Sequence, residues 1–302
     1  MSDGTHNAAR QSLTGVRRWV IKVGSALLTN DGLGLDPQVM TTLTRQLASL
    51  HALGHEVVLV SSGAIAAGLV RLNLAERPRE VHLSQAAAAV GQSALVRAYE
   101  DCLGPHGVIT AQILLSHADV RARDRYLNAR STLNTLLGMG VLPIINENDT
   151  VVTDEIRLGD NDTLAALVAN LVDAEALLIL TDQDGLMDRD PRQDQDAKLI
   201  ASADVHDPDL DAIAGEGSAL GRGGMATKLS AARLAARSGT STIIANGRLP
   251  EVISKVVGGE SVGTFLHTNR QPLSARKQWL ASLLHAQGQL VLDEGAVTVV
   301  SD

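Results

Sequence analysis

The sequence predicts an α/β protein in which helices cover both faces of a mostly parallel sheet, forming a three-layer αβα sandwich. Apolar, β-branched runs alternate along the chain with Ala- and Leu-rich stretches of helical periodicity. The apolar runs are continuous instead of alternating with polar residues, which is typical of strands that are buried on both faces. Apolar residues make up 45% of the 302 residues, so the chain can build a large core.

Six apolar runs predict the strands, and the amphipathic stretches between them predict the helices. In chain order the predicted strands span residues 19–23, 56–60, 108–114, 141–145, 176–180 and 240–245. The predicted helices span residues 37–53, 83–103, 126–137, 162–171 and 227–238. Two stretches depart from this rhythm. Residues 150–158 alternate and predict a small hairpin, whereas residues 182–203 form a long polar excursion rich in Asp, Gln and Arg.

The overall composition excludes several classes of protein. The net charge of −8 argues against nucleic acid as the main partner. No apolar run approaches the roughly 20 residues that a spanning helix needs, and the first residues do not resemble a secretory signal. Cys102 is the single cysteine, which rules out an internal disulfide framework. We therefore expect a cytoplasmic protein with no membrane association.

Four predicted strands run into polar or glycine-rich residues at their carboxyl ends. In open α/β sheets, ligands bind at that edge of the sheet. One such strand end would be an ordinary turn, but four in one sheet predict a binding site. The four ends are Lys22-Val23-Gly24-Ser25, Ser61-Ser62-Gly63-Ala64, Asn146-Glu147-Asn148-Asp149 and Thr181-Asp182.

Lys22 and Gly63 are the most informative residues at these ends. A lysine beside a buried strand is costly unless its charge is compensated, and we favour a phosphate contact over a structural ion pair. Gly63 allows the backbone to approach an anion, while Ser61 and Ser62 supply donors at the start of a helix. A helix N-cap followed by a turn explains the same serine and glycine residues equally well.

Two further segments carry candidate binding groups. Residues 221–228, GRGGMATK, form a glycine-rich loop that opens a helix, with Lys228 in its first turn. This is not the Walker pattern, and glycine-rich helix starts are common. Residues 159–162, GDND, crowd two carboxylates at another helix start, where a capping box is the alternative. Together with the sequence NEND at 146–149, they could recognise an ammonium group or orient lysines.

These motifs, in this order, resemble the amino acid kinase family, and within it the branch that phosphorylates glutamate. The resemblance covers about residues 17–268. It rests on the strings IKVGSALLT, VSSGAIAAG, QAAAAVGQ, YLNARSTLNTLL, PIINENDTVVTDEIRLGDND, LLILTDQDGL and GGMATK. The resemblance implies the amino acid kinase fold and ATP-dependent transfer of a phosphoryl group to the side-chain carboxylate of L-glutamate, as the first step of proline biosynthesis.

The resemblance also implies roles for individual residues. The implied catalytic residues are Lys22, Lys228 and Asp162, with Asp162 holding both lysines. The implied glutamate-binding residues are Ser62, Gly63, Asn146, Asp149, Asp160 and Asn161. The implied ATP-binding residues are Lys22, Thr181, Asp182, Arg222, Gly223, Gly224, Met225, Ala226, Thr227 and Lys228. Arg222 departs from the family pattern, in which we expect a small residue. No protein residue is predicted to bind a metal directly.

Several cofactors and partners follow from the same resemblance. We expect ATP with Mg²⁺ as cofactors, feedback inhibition by proline, a homo-oligomer, and a glutamate-5-semialdehyde dehydrogenase as downstream partner. Residues 1–16 are expected to be an N-terminal extension and residues 17–272 the kinase domain. Residues 273–302 are expected to be a linker with a remnant or truncated start of a PUA-type domain. Without that complete domain no nucleic-acid binding is expected.

Two other functions fit the same residues. The chain could be a related kinase that acts on another carboxylate or on a carbamate. It could also be a non-catalytic amino-acid sensor with the same fold. The presence of Lys22, Lys228 and Asp162 argues against the sensor, which has no need of these three charged residues.

Overall fold

The computed structural model describes residues 10–30, 32–151, 161–189, 194, 196–213 and 224–268. Ten strands are present in these residues. In chain order they are β1 Arg18–Val23, β2 Thr29–Asn30, β3 Leu33–Leu35, β4 Glu56–Ser61, β5 Thr110–Leu115, β6 Leu142–Glu147, β7 Ala176–Thr181, β8 Ser202–Asp204, β9 Ser241–Asn246 and β10 Thr264–His267.

Eight of these strands form one sheet in the order β5-β6-β4-β1-β7-β9-β10-β8. All neighbouring pairs are parallel except β9 and β10, which are antiparallel. β2 and β3 form a separate small antiparallel pair. The predicted fold class, an αβα sandwich around a mostly parallel sheet, is confirmed.

Ten helices are found in the described residues. In chain order they are α1 Ser25–Leu28, α2 Pro37–Ala52, α3 Ala64–Arg71, α4 Val81–Leu103, α5 His117–Arg121, α6 Arg123–Gly138, α7 Asn161–Leu171, α8 Asp209–Ile213, α9 Met225–Ala236 and α10 Val252–Val257. Short 3-10 turns at Ser12–Gly15 and Gly104–His106 complete them.

The sheet separates two aliphatic cores. Along β1, Val20 packs into the core beneath α6, α7 and α9, while Trp19 and Ile21 pack into the core beneath α2, α4 and α10. Successive side chains of a strand point to opposite faces, so both neighbours are buried only when helices cover both faces. This explains why the central strands read as continuous apolar runs.

Two glycines allow α3 and α4 to pack in close contact. A Cβ atom on Gly68 would lie 1.8 Å from the carbonyl oxygen of Ala87, and one on Gly91 would lie 1.8 Å from that of Ala64. Both distances are far inside van der Waals contact, so only glycine fits at these positions. The contact places the residues next to Gly91 beside the start of α3, at the carboxyl end of β4.

Arg10 attaches the N-terminal segment to the edge of the sheet. Its buried guanidinium donates hydrogen bonds to the carbonyl oxygens of Ala201 and Gly263, both at 2.6 Å, and of Val262 and Glu260 at 2.9 and 3.0 Å. Burial lowers the pKa of this guanidinium. Backbone carbonyls therefore satisfy a cation that lies against the end of the domain.

The predicted strands are all present, with ends that shift by up to two residues. The third begins at Thr110 instead of residue 108, and the sixth ends at Asn246 instead of residue 245. β8 and β10 were not predicted, and β8 begins inside the polar excursion at 182–203. Most of the hairpin predicted at 150–158, and all of residues 273–302, lie outside the described residues.

Candidate active site

Two lysines from distant parts of the chain meet one buried carboxylate at the carboxyl edge of the sheet. The Nζ atom of Lys22, on β1, lies 2.6 Å from Oδ1 of Asp162, at the start of α7. The Nζ atom of Lys228, on α9, donates a hydrogen bond of 3.1 Å to Oδ2 of the same carboxylate. We call Lys22, Lys228 and Asp162 the lysine–aspartate cluster. Their exposed fractions are 6%, 4% and 0%, in that order.

The charges of this cluster stabilise one another. Burial alone would raise the pKa of Asp162, but the ammonium groups of Lys22 and Lys228 outweigh it and lower that pKa. The charge of each lysine and its hydrogen bond to the carboxylate both lower the pKa of Asp162. With one negative and two positive charges, the cluster carries a net charge of +1 in a buried region of low dielectric constant.

The structure shows one of the two roles that the sequence left open for Lys22. We favoured a phosphate contact for Lys22 over a structural ion pair, and the ion pair with Asp162 is present. The two roles are compatible, because an ammonium group has three N–H donors. Gly24 leaves space beside this ammonium, since a Cβ atom there would lie 3.6 Å from the Nζ atom of Lys22.

A row of amide side chains lies next to the cluster. The Nδ2 atom of Asn161 donates to the Oγ atom of Ser62 at 2.8 Å and to the Oδ1 atom of Asn146 at 3.0 Å. The Nδ2 atom of Asn146 then donates to the Oε1 atom of Gln92 at 2.8 Å. We call Gln92, Asn146, Asn161 and Ser62 the amide relay. Asn161 directly precedes Asp162, so the relay and the cluster share the start of α7.

The end of β4 is held by a second set of contacts. The Oγ atom of Ser61 lies 2.8 Å from the hydroxyl of Tyr99, and the backbone N–H of Ser62 donates to the carbonyl of Val23 at 3.2 Å. Burial raises the pKa of Tyr99, so its hydroxyl stays protonated. Gly63 adopts a φ of +104° before α3, a conformation that favours glycine. These contacts fix the turn that carries Ser62.

Asp149 follows β6 and is partly buried. Burial raises the pKa of this carboxyl group, and the charge of Arg77 acts in the opposite direction without cancelling the effect. An aspartate with a raised pKa gains most from a cationic ligand, because a nearby positive charge restores its ionised form.

Apart from Lys22, the described residues that are predicted to bind the nucleotide lie at the carboxyl end of β7 and at the start of α9. The Oγ1 atom of Thr181 donates to the exposed carboxylate of Asp182 at 3.1 Å. Gly224 is the extended residue before α9, and its carbonyl accepts a hydrogen bond of 2.7 Å from the Oγ1 atom of Thr227. Met225, beside it, is the first residue of the helix.

Most of the predicted site residues lie at the carboxyl edge of the sheet. Asp160, Arg222 and Gly223 lie outside the described residues. Gln92 and Tyr99 were missed, because both sit in α4, whose alanine-rich pattern reads as an ordinary core helix. The pair Gly91-Gln92 was the available clue, since an amide beside a tightly packed glycine is buried.

The described residues contain neither a cluster of metal-binding side chains nor a membrane-spanning helix. Within the described ranges, no three His, Cys, Asp or Glu side chains are arranged to hold a metal ion. No helix in the same residues combines the length and apolarity needed to cross a membrane.

Known proteins are similar to this chain over almost its whole length. Glutamate 5-kinase from Pseudomonas syringae pv. tomato is 60% identical over 293 residues, covering 97% of this chain and 79% of that protein. Glutamate 5-kinase from Chromohalobacter salexigens is 58% identical over 298 residues, covering 99% of this chain and 79% of that protein.

Solved structures show the same fold at much lower identity. UMP kinase from Bacillus anthracis superposes with a TM-score of 0.59 at 16% identity, covering 84% of this chain and 97% of that chain. UMP kinase from Ureaplasma parvum gives 0.57 at 17% identity, covering 84% and 99%. The model of the amino acid kinase family matches residues 17–246. The chain therefore belongs to the amino acid kinase family.

Proposed function

We propose that the chain transfers the γ-phosphoryl group of ATP to the side-chain carboxylate of L-glutamate, forming γ-glutamyl phosphate in the first step of proline biosynthesis. The observation that carries this proposal is the lysine–aspartate cluster beside the amide relay. The identity of about 60% to glutamate 5-kinases supports the choice of glutamate.

The cluster supplies the charge that phosphoryl transfer requires. A lysine about 4 Å from a phosphoryl charge contributes roughly 4 kcal/mol at an effective dielectric constant of 20. Such a contribution corresponds to about three orders of magnitude in rate. In this proposal Lys22 and Lys228 neutralise the transferring group, and Asp162 keeps both ammonium groups in place before the substrates bind.

The reaction needs no general base from the protein. A glutamate side chain is ionised at neutral pH, so its oxygen can attack the γ-phosphorus directly. The new O–P bond forms as the bond to ADP breaks, and no proton has to move. Positioning and charge neutralisation are then the whole task of the site, which fits a cluster made only of charges and amides.

Glutamate binding is assigned to the residues around the amide relay. Ser62 and Asn146 offer a hydroxyl and an amide N–H group to the carboxylates, Asn161 holds both of these side chains in place, and Asp149 is assigned to the substrate ammonium. We assign Gly63 and Asp160 to the same site, Gly63 through its backbone. The raised pKa of Asp149 supports its role, because a partly buried carboxylate lacks a sufficient cationic partner without substrate.

We assign ATP binding to the carboxyl end of β7 and the start of α9. Thr181 and Asp182 border one side, and Gly224, Met225, Ala226 and Thr227 open α9 on the other. N–H groups at a helix start favour phosphate, and Lys22 and Lys228 lie at the inner end. Arg222 and Gly223 belong to the same loop in this proposal. Mg²⁺ would be held by the nucleotide phosphates and water.

Regulation and partners form a further part of the proposal. Proline carries the same ammonium and carboxylate groups as glutamate, so we propose that it inhibits through Asp149. γ-Glutamyl phosphate is labile, which favours transfer to a glutamate-5-semialdehyde dehydrogenase. We also propose a homo-oligomer and a cytoplasmic location, where ATP and glutamate are available and a lone thiol stays reduced.

The decisive experiment is a coupled assay of ADP release from purified protein with MgATP and glutamate. The proposal expects turnover that depends on glutamate and falls on addition of proline. Aspartate, N-acetylglutamate and carbamate serve as competing acceptors. Absence of turnover with any acceptor, together with tight glutamate binding, would support the amino-acid sensor instead.

A further inference from the structure

We propose that Gln92 is a positioning residue that holds Asn146 in the amide relay, so that the hydroxyl of Ser62 donates a hydrogen bond to a carboxylate of the substrate. This inference rests on the proposed function, since it assigns a second layer to the same glutamate site. It concerns a residue on α4 that touches Asn146 and that the roles proposed above do not include.

The direction of the relay follows from its donors and acceptors. The Nδ2 atom of Asn161 donates to Asn146 and Ser62, and it also lies 3.4 Å from the carbonyl oxygen of Ser61, which can only accept. Because the Ser62 oxygen accepts from Asn161, its own O–H remains to donate elsewhere. A hydroxyl that donates suits a carboxylate, whereas a hydroxyl that must donate to Asn161 could not bind one.

Gln92 holds the end of the relay that is far from Ser61. A side-chain amide can be turned by 180° with little change in shape, so the direction of the relay is fixed by the Ser61 carbonyl, which accepts from the Nδ2 atom of Asn161. The Oε1 atom of Gln92 accepts from the Nδ2 atom of Asn146, which directs the Oδ1 atom of Asn146 toward Asn161. Gln92 is 7% exposed and Asn146 is 4% exposed, so water competes poorly for these bonds.

Gln92 is also incompletely satisfied. Its Nε2 atom is buried and has no hydrogen-bond partner among the described residues. Buried amides usually satisfy both ends, and an exception calls for an explanation. A residue kept only for stability would be better replaced by an apolar side chain of the same size, such as methionine. Holding the orientation of Asn146 is a role that explains a buried and half-paired glutamine at this position.

The packing of α4 brings Gln92 to this place. Its neighbour Gly91 allows contact with the carbonyl of Ala64, at the first turn of α3. That contact holds α4 close enough to β6 for a glutamine side chain to reach Asn146. Gln46 is a matched control, since this glutamine on α2 is also buried and accepts from the backbone N–H of Ile253 at 2.9 Å, far from the site.

The test compares Gln92→Met with Gln46→Met by steady-state kinetics and thermal unfolding. We expect Gln92→Met to raise the KM for glutamate about tenfold, with kcat and the KM for ATP changed less than about threefold. Gln46→Met should lower Tm and leave the KM for glutamate unchanged. Gln92→Asn keeps the amide but is too short to reach Asn146, so it should reproduce the KM increase if Gln92→Met does not fold.

A double-mutant cycle separates positioning from general damage. If Gln92 acts through Ser62, adding Gln92→Met to Ser62→Ala should raise the KM for glutamate by less than about twofold beyond Ser62→Ala alone. In the Ser62→Ala background, Gln46→Met should lower Tm by the same amount as in the wild-type protein and leave the KM for glutamate unchanged. An unchanged KM in both Gln92 variants, or full additivity with Ser62→Ala, would overturn the inference. Absence of glutamate turnover in the wild-type protein would instead overturn the proposed function.

Discussion

The Nζ atom of Lys22 lies 2.6 Å from the Oδ1 atom of Asp162, a carboxylate with no exposed surface. The first strand and the start of α7, 140 residues apart in sequence, are joined by this contact at the centre of the sheet. Lys228 completes the arrangement from α9. Because Asp162 contacts both ammonium groups, each of the three charges can be tested by removing it.

Asp162→Asn should lower both stability and activity. It removes the buried carboxylate that both ammonium groups contact, and breaking a buried pair costs about 3–5 kcal/mol. We expect a lower Tm and a kcat reduced by at least about a hundredfold. Asp211→Asn, which removes an exposed partner of Arg233, is the control and should leave kcat unchanged. A kcat of Asp162→Asn within tenfold of wild type would contradict the role of the cluster.

The same pair predicts an acid limb of stability. The pKa of Asp162 in the folded protein is lowered, so its contribution is present above the unfolded value of about 3.9 and is lost as pH falls through the folded value. The stability difference between wild type and Asp162→Asn, from urea unfolding, should be constant near neutrality and shrink below about pH 4. A difference that grows toward acid pH would have the wrong sign.

Lys228→Ala should act mainly on the chemical step. If this ammonium group stabilises charge in the transition state, kcat should fall about a thousandfold while the KM for glutamate stays within a few-fold. Lys198→Ala, in an exposed side chain, is the matched control. A kcat within tenfold of wild type would rule out this role for Lys228.

Asp149→Asn should separate stability from binding. Because the pKa of Asp149 is raised by burial, its ionised form destabilises the folded protein as pH rises above the ordinary aspartate range. The asparagine variant should therefore have an equal or higher Tm at neutral pH. It should also show a higher KM for glutamate and weaker inhibition by proline, because both ligands carry an ammonium group.

The pH dependence of kcat/KM provides the check on Asp149. In wild type the acid limb should have its midpoint above the usual aspartate pKa of about 3.9, and this part of the limb should be absent in Asp149→Asn. The titration of glutamate itself is common to both proteins. An unchanged KM in the variant would show that the ammonium site lies elsewhere.

Gly91→Ala should disrupt the contact between α3 and α4. Its Cβ atom would lie 1.8 Å from the carbonyl of Ala64, so one helix must move. We expect a loss of more than about 2 kcal/mol in unfolding free energy and a weaker glutamate site. Gly138→Ala, at the end of α6 with no atom within 4 Å, should instead stabilise by about 0.5–1 kcal/mol. Equal effects of the two substitutions would show that the close contact is unimportant.

The sheet was predictable because its central strands are buried on both faces. β8 and β10 were missed because they are short, three and four residues long, and lie at the far end of the sheet. β10 follows Gly263, whose φ of +67° turns the chain so that it pairs antiparallel with β9. No periodicity in a four-residue strand reveals such a reversal.

The site was predictable where its residues end strands and unpredictable where they lie inside helices. Lys22, Asn146 and Thr181 interrupt or follow apolar runs, and the parallel sheet brings those ends together. Gln92 belongs to a helix of ordinary composition, and its contact with Asn146 is visible only in the three-dimensional structure. Arg10 lies in a segment without periodicity, so its burial followed only from the structure.

The most direct test of the proposed glutamate kinase activity is the rate of ADP release with MgATP. This rate is measured with and without glutamate, for wild type and Lys228→Ala in parallel. We predict glutamate-dependent turnover in wild type and a rate about a thousandfold lower in the folded Lys228→Ala variant. Glutamate-independent ATP hydrolysis in wild type, or equal rates in the two proteins, would contradict it.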